Sequence, residues 1–201
     1  MPTPTDILQA LTAISNEQQL LAIIWHGLIA AITIGILFGC RPTRRQGAIA
    51  LAFPLLSVSV LAWLYKNPFN GIVFLLAAAV LAIIGSRQPA TPVEKPPAWA
   101  SVIGGLMIAF GWVYPHFLAN ASWIEYLFRA PTGLIPCPTL SLVIGFALMA
   151  KGFSSRAWSN VLGTVGIFYS LFGALRLGVI LDIGLFIGAA ALIVLVNSRS
   201  R

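Results

Sequence analysis

Seven apolar stretches, each near the length of one bilayer crossing and separated by short polar turns, constrain this chain more than any other feature. They cover residues 20–40, 47–65, 67–85, 98–114, 134–150, 157–175 and 177–196. A hydrocarbon core of about 30 Å takes roughly 20 helical residues. Helices are expected because each satisfies its own backbone in lipid. A barrel would need alternating polarity, whereas these runs are apolar on every face. Only 8% of the residues are charged and 59% are hydrophobic, against about 25% charged in soluble domains. At 201 residues, a soluble fold of this composition could not bury its apolar surface. The chain therefore reads as an all-α integral membrane protein, one transmembrane helical domain over residues 1–201. The division between the last two stretches is marked only by Arg176, Gly178 and Asp182, which predicts a tight hairpin near Gly178.

Basic residues set the expected orientation. Lys66, Arg129 and Arg176 fall on one side of the alternating path. Arg41, Arg44, Arg45, Arg87, Lys95, Lys151, Arg156, Arg199 and Arg201 fall on the other. The excess marks the cytoplasmic face, which places the N-terminus outside and the C-terminus inside. The net charge of +7 is spread over turns and forms no patch the size of a nucleic-acid groove, so no nucleic acid is expected. The turns face anionic lipid instead. Cys40 and Cys137, the two cysteines, fall on opposite sides and are predicted to be free thiols. The first 19 residues hold no Lys or Arg, so no cleavable signal peptide is expected.

The connections carry further signals. Ile7, Leu8, Leu11 and Ile14 share one helical face, which predicts a short helix on the outer surface over residues 5–14. Residues 87–97, with four prolines, predict an extended cytoplasmic linker. Ser122 and Glu125 have capping-box spacing before a short interfacial helix over 123–129. Asn120-Ala121-Ser122 has the form of a glycosylation sequon, a pattern common by chance. Pro54 predicts a kink in the second helix. Gly35/Gly39 and Gly184/Gly188 are predicted packing surfaces.

Three groups of residues could carry chemistry. Cys137 stands between Pro136 and Pro138, followed by Thr139, where the fifth stretch begins. A helix N-terminus favours thiolate and would suit metal transfer or redox exchange. A rigid helix start with a small packed thiol is the simpler reading. His26 and His116, the two histidines, could join Cys137 and Glu125 in a mixed metal site, with His116 and Cys137 as its leading members. Separate histidines making interfacial hydrogen bonds account for them more simply. Arg176 and Asp182 flank the last hairpin. A charge at the bilayer centre costs about 2.5–3.5 kcal/mol, so a deep pair would mark a proton or ion relay. Nearer the surface, Asp182 would occupy the first turn of the seventh helix and pair with Arg176.

Tyr114-Pro115, the run from Pro131 to Thr139, and Leu177-Gly178-Val179 with Asp182-Ile183-Gly184-Leu185 resemble the bacterial multi-pass family named domain of unknown function 6064. The family has Tyr-Pro ending a span, Pro-Thr-x-Gly leading to Pro-Cys-Pro-Thr, and a closing Leu-Gly-Val…Asp-x-Gly-Leu hairpin. This chain reads Leu127-Phe128-Arg129-Ala130 where the family carries Gly-His. The resemblance implies a bacterial cell membrane, assigns no activity, and gathers the motifs on the outer half around Cys137 and Asp182.

No Walker A loop, HExxH, GxSxG or pair of deep carboxylates is present, so no cofactor is expected and no enzyme class is favoured. The leading expectation is a small-solute or ion permease with an outer pocket of Tyr114, His116, Cys137, Arg176 and Asp182. Two alternatives stand beside it. One is a non-catalytic membrane scaffold or accessory subunit, in contact with itself or another membrane protein. The other is a thiol or metal-handling protein centred on Cys137.

Overall fold

The structure is a computed structural model and describes residues 3–119 and 121–198. Asn120 of the sequon, and Arg199 and Arg201 of the inner basic set, lie outside the described residues. The described chain is all-α; its one extended contact is an isolated bridge between Thr43 and Pro92.

Helix α1 (Pro4–Glu17) starts in a complete capping box, with Thr3 and Asp6 each bonding the other's backbone. These bonds hold the Asp6 carboxyl below its usual pKa. Gln18 separates α1 from α2 (Gln19–Leu37). The second apolar stretch becomes α3 (Arg44–Ala50), again with a capping box at Thr43, and α4 (Ala52–Leu64). The break at Leu51 lies three residues before Pro54, whose missing N–H leaves the Ala50 carbonyl unpaired. Helix α5 (Pro68–Ser86) has Pro68 in its first turn and Asn67 as cap. Helix α6 (Ala98–Val113) follows the proline-rich linker.

Four helical runs are long and apolar enough to cross a membrane: Gln19–Leu37, Arg44–Leu64, Pro68–Ser86 and Arg156–Arg176. Ala98–Val113, Pro136–Met149 and Asp182–Asn197 are apolar but shorter. The last two shorten because turns take up the start of each apolar stretch. Helix α8 (Pro136–Met149) begins two residues into its stretch. Helix α9 (Arg156–Leu171) passes through a π-turn over Phe172–Arg176 and a left-handed Gly178 (φ 73°) before α10 (Asp182–Asn197) begins. The hairpin thus falls at Gly178, but the final helix starts at Asp182 rather than Leu177.

Helix α8 is the centre of the bundle. All but three of its residues are buried, enclosed by α4, α6, α9 and α10. It meets α6 through glycines, not the predicted pairs. A Cβ on Gly104 would lie 2.9 Å from the Gly145 carbonyl oxygen, and one on Gly111 2.7 Å from that of Pro138. Of the predicted surfaces, Gly188 packs on Met107, Gly184 has only ordinary contact with Phe110, and Gly35 and Gly39 meet no other helix. The C-terminal half of α2 stands clear of the bundle, with Ile32, Ile34, Leu37 and Phe38 exposed.

Both sets of connections depart from free linkers. The 87–97 segment is stapled to residues 42–45: Arg44 N–H donates to Thr91 O, Val93 N–H to Pro42 O, and Arg45 Nε to Gln88 O. Glu94 pairs with both Arg44 and Lys151. Between α6 and α8, the interfacial segment forms a 3-10 turn (Trp123–Glu125) and α7 (Tyr126–Arg129). Its expected capping box does not form. The Ser122 hydroxyl donates to the Glu125 carboxylate, which also pairs with Arg129.

Candidate functional site

Five helix ends meet at one end of the bundle, beneath α1: the N-termini of α5, α8 and α10 and the C-termini of α6 and α9. They line a narrow, partly open cavity of about 20 Å³. Its polar lining comes from Asn70, Cys137, Tyr169 and Asp182, and its cover from Ile7 and Leu11 of α1 and from Phe117. The volume holds one water-sized body.

Asp182 organises this site. It is 2% exposed. The Tyr114 hydroxyl donates to its Oδ1 at 2.7 Å, and the Cys137 thiol to its Oδ2 at 3.2 Å. No ion pair reaches it; among the described residues the ion pairs are those of Glu94 and Glu125. Compensation comes instead from dipoles, because Asp182 lies in the first turn of α10 and the α8 and α5 N-termini open on the same space. Gly173, in the π-turn, brings its backbone so close that a Cβ there would overlap the Asp182 carboxylate. Across the cavity, the Tyr169 hydroxyl donates to Asn70 Oδ1 at 2.8 Å.

The chain before α8 explains how Cys137 reaches this point. Residues 130–136 are all buried without being helical until Pro136. Several of their polar groups find partners within the protein, as buried non-helical backbone requires. Thr132 donates to the Gly111 carbonyl, and Thr139 Oγ1 accepts from Gly133 N–H at 2.8 Å while donating to Ile135 O. Gly133 has φ 79° and lies against the Trp25 indole.

Of the predicted pocket, the structure brings together Tyr114, Cys137 and Asp182. Arg176 does not join them. The π-turn carries it to an exposed position, and it makes no pair with Asp182. His116 belongs to a separate, open cleft of about 340 Å³ beside Leu8, Thr12 and Tyr126. Partial burial there pushes its pKa below the usual imidazole value. The ring of Phe117 stands between His116 and Tyr114, 4.3 Å from one centroid and 6.3 Å from the other. His26 is a buried tie between helices, its ring nitrogens 2.9 Å from Ala22 O and 3.0 Å from Trp112 O. Among the described residues no group of three or more His, Cys, Asp or Glu could hold a metal ion. The mixed site of His116 and Cys137 is therefore not assembled.

Sequence reasoning missed Asn70, Tyr169, Gly173 and Phe117. Asn70 and Tyr169 were visible as polar interruptions of apolar runs. Gly173 carried no signal, because a π-turn leaves none. No protein-family model, curated protein or solved structure matches the chain.

Proposed function

We propose that this chain is a multi-pass membrane permease for a small cation, with Asp182 as the binding group. The observation that carries this is a desolvated carboxylate, without a countercharge among the described residues, facing a narrow cavity the size of one small ion or water. An isolated buried anion is costly, and an ionisable group within a membrane bundle marks a pathway by default. A monovalent cation in the cavity would neutralise Asp182 and find oxygens of Asn70 and Tyr169 nearby.

The reading takes all seven apolar helices as crossings, with α1 outside. The shorter helices support this because they pack alongside the long ones, and α8 is preceded by the buried turn over residues 130–136. The basic inner loops give the orientation. That orientation would put Asp182 in the outer half; a bacterial cell membrane is what the motif resemblance to domain of unknown function 6064 implies. The thiol reading is weaker: the Cys137 thiol donates to a carboxylate, and a neighbouring negative charge opposes thiolate. A scaffold role draws its support from the unpartnered inner half of α2.

Reconstituted vesicles test the proposal. Under an imposed inside-negative potential, purified protein should admit Li⁺, Na⁺ or K⁺ well above the leak of empty vesicles. Uptake of all three at the empty-vesicle rate would overturn it.

A further inference from the structure

We infer that the open cleft beside His116 is the antechamber of the Asp182 cavity and that the Phe117 ring is the gate between them. The two spaces share one wall. Phe117 lines both. Helix α1 supplies the rest in alternation: Ile7 and Leu11 face the narrow cavity, while Leu8 and Thr12 face the cleft. The two spaces are therefore separated by one aromatic ring and one helical turn.

The ring is placed as a movable part would be. Phe117 has φ 75°, a left-handed conformation rarely taken by a bulky residue. Strain of this kind persists only where the surroundings impose it, and it gathers at clamps and switches. The surroundings here are visible. The Asn16 side chain donates to Phe117 O and accepts from Ala119 N–H, both at 2.9 Å. The ring lies parallel to Tyr114, 7° between planes, and edge-on to His116. Tyr114 in turn holds Asp182. Rotation of the ring out of this stack joins the cleft to the cavity and breaks no backbone hydrogen bond. The cleft is wide enough for a hydrated cation and the cavity only for a bare one, so the gate also marks where hydration water is shed.

The cargo rests on the permease reading, but the gate is tested without transport. Cys137 lines the narrow cavity and reports access to it. In protein carrying Cys40→Ser, the membrane-impermeant cation trimethylammonioethyl methanethiosulfonate is added to the outer face and mixed-disulfide formation at Cys137, with release of methanesulfinate, is followed by mass spectrometry. Phe117→Gly accepts the left-handed backbone and removes the ring, so labelling should accelerate about tenfold or more. Phe117→Leu should give a smaller rise should the glycine variant fold poorly. Adding Thr12→Trp to fill the cleft should return the glycine variant to the slow rate. Labelling at the wild-type rate in both Phe117 variants, or fast labelling that survives Thr12→Trp, would overturn the gate. Faster labelling in protein that moves no cation would keep the gate and remove the permease; flux with unchanged labelling would do the reverse.

Discussion

Asp182→Asn should leave the bundle folded and reduce cation uptake to the rate of empty vesicles. The amide keeps the size of the carboxyl group and its Oδ1 can still accept from Tyr114, so the packing against Gly173 is preserved. What disappears is the negative charge, the feature that gives a cation a reason to leave water. Asp182→Leu separates charge from shape. It also leaves the Tyr114 hydroxyl buried without its acceptor, which costs about 1–3 kcal/mol. The comparison is made by vesicle flux together with thermal unfolding. The account requires Asn to be stable and inactive and Leu to be less stable and inactive. An active Asp182→Asn protein would reduce Asp182 to a structural residue.

Gly133→Ala should be strongly destabilising. At φ 79° an alanine takes on a left-handed penalty of about 1–2 kcal/mol. Its Cβ would also fall on the Trp25 indole. That indole is fixed by a hydrogen bond from Nε1 to Ser57 Oγ at 3.1 Å, so it cannot simply swing aside, and overpacking adds about 1–3 kcal/mol. A total near 3 kcal/mol corresponds to a fall of roughly 10 °C in melting temperature for a chain of this size. The consequence reaches the site, because Gly133 N–H donates to Thr139 and this turn aims Cys137 at Asp182. Combined with Trp25→Ala, the loss should be less than additive, since the overlap is then relieved and only the backbone penalty remains. Strictly additive losses would show that the indole is not what excludes the methyl group.

How far the sequence could be read follows from which interactions are local. Apolar runs were legible because they are written in adjacent residues; the local caps Thr3 with Asp6 and Thr43 with Gln46 went unread, so α1 and α3 start before the predicted residues 5 and 47. Helix ends set by tertiary geometry were not legible. The start of α10 depends on the π-turn and the left-handed Gly178, and these same turns carry Arg176 away from Asp182. The grouping of Tyr114, Cys137 and Asp182 at one end could be anticipated because each terminates or begins an apolar run. His116 could not be separated from them by position alone, since only the Phe117 ring keeps it apart. The opposing pair Asn70 and Tyr169 comes from helices α5 and α9, 99 positions apart in the chain. Nothing local announces such a meeting. The glycines that matter most for helix approach, Gly104, Gly111 and Gly145, gave no repeated spacing within one helix, because they match across two.

Cation-dependent stability of the purified protein tests the Asp182 site most directly, since a ligand that binds only the folded state raises its stability by RT ln(1 + L/Kd), where L is the free ligand concentration. Melting curves of wild type and Asp182→Asn would be recorded in Li⁺, Na⁺ and K⁺ chloride at constant ionic strength, with a bulky organic cation as the reference salt. The account predicts that at least one of the three stabilises wild type progressively as its concentration rises and leaves Asp182→Asn unchanged. Identical responses of the two proteins to every cation would contradict it.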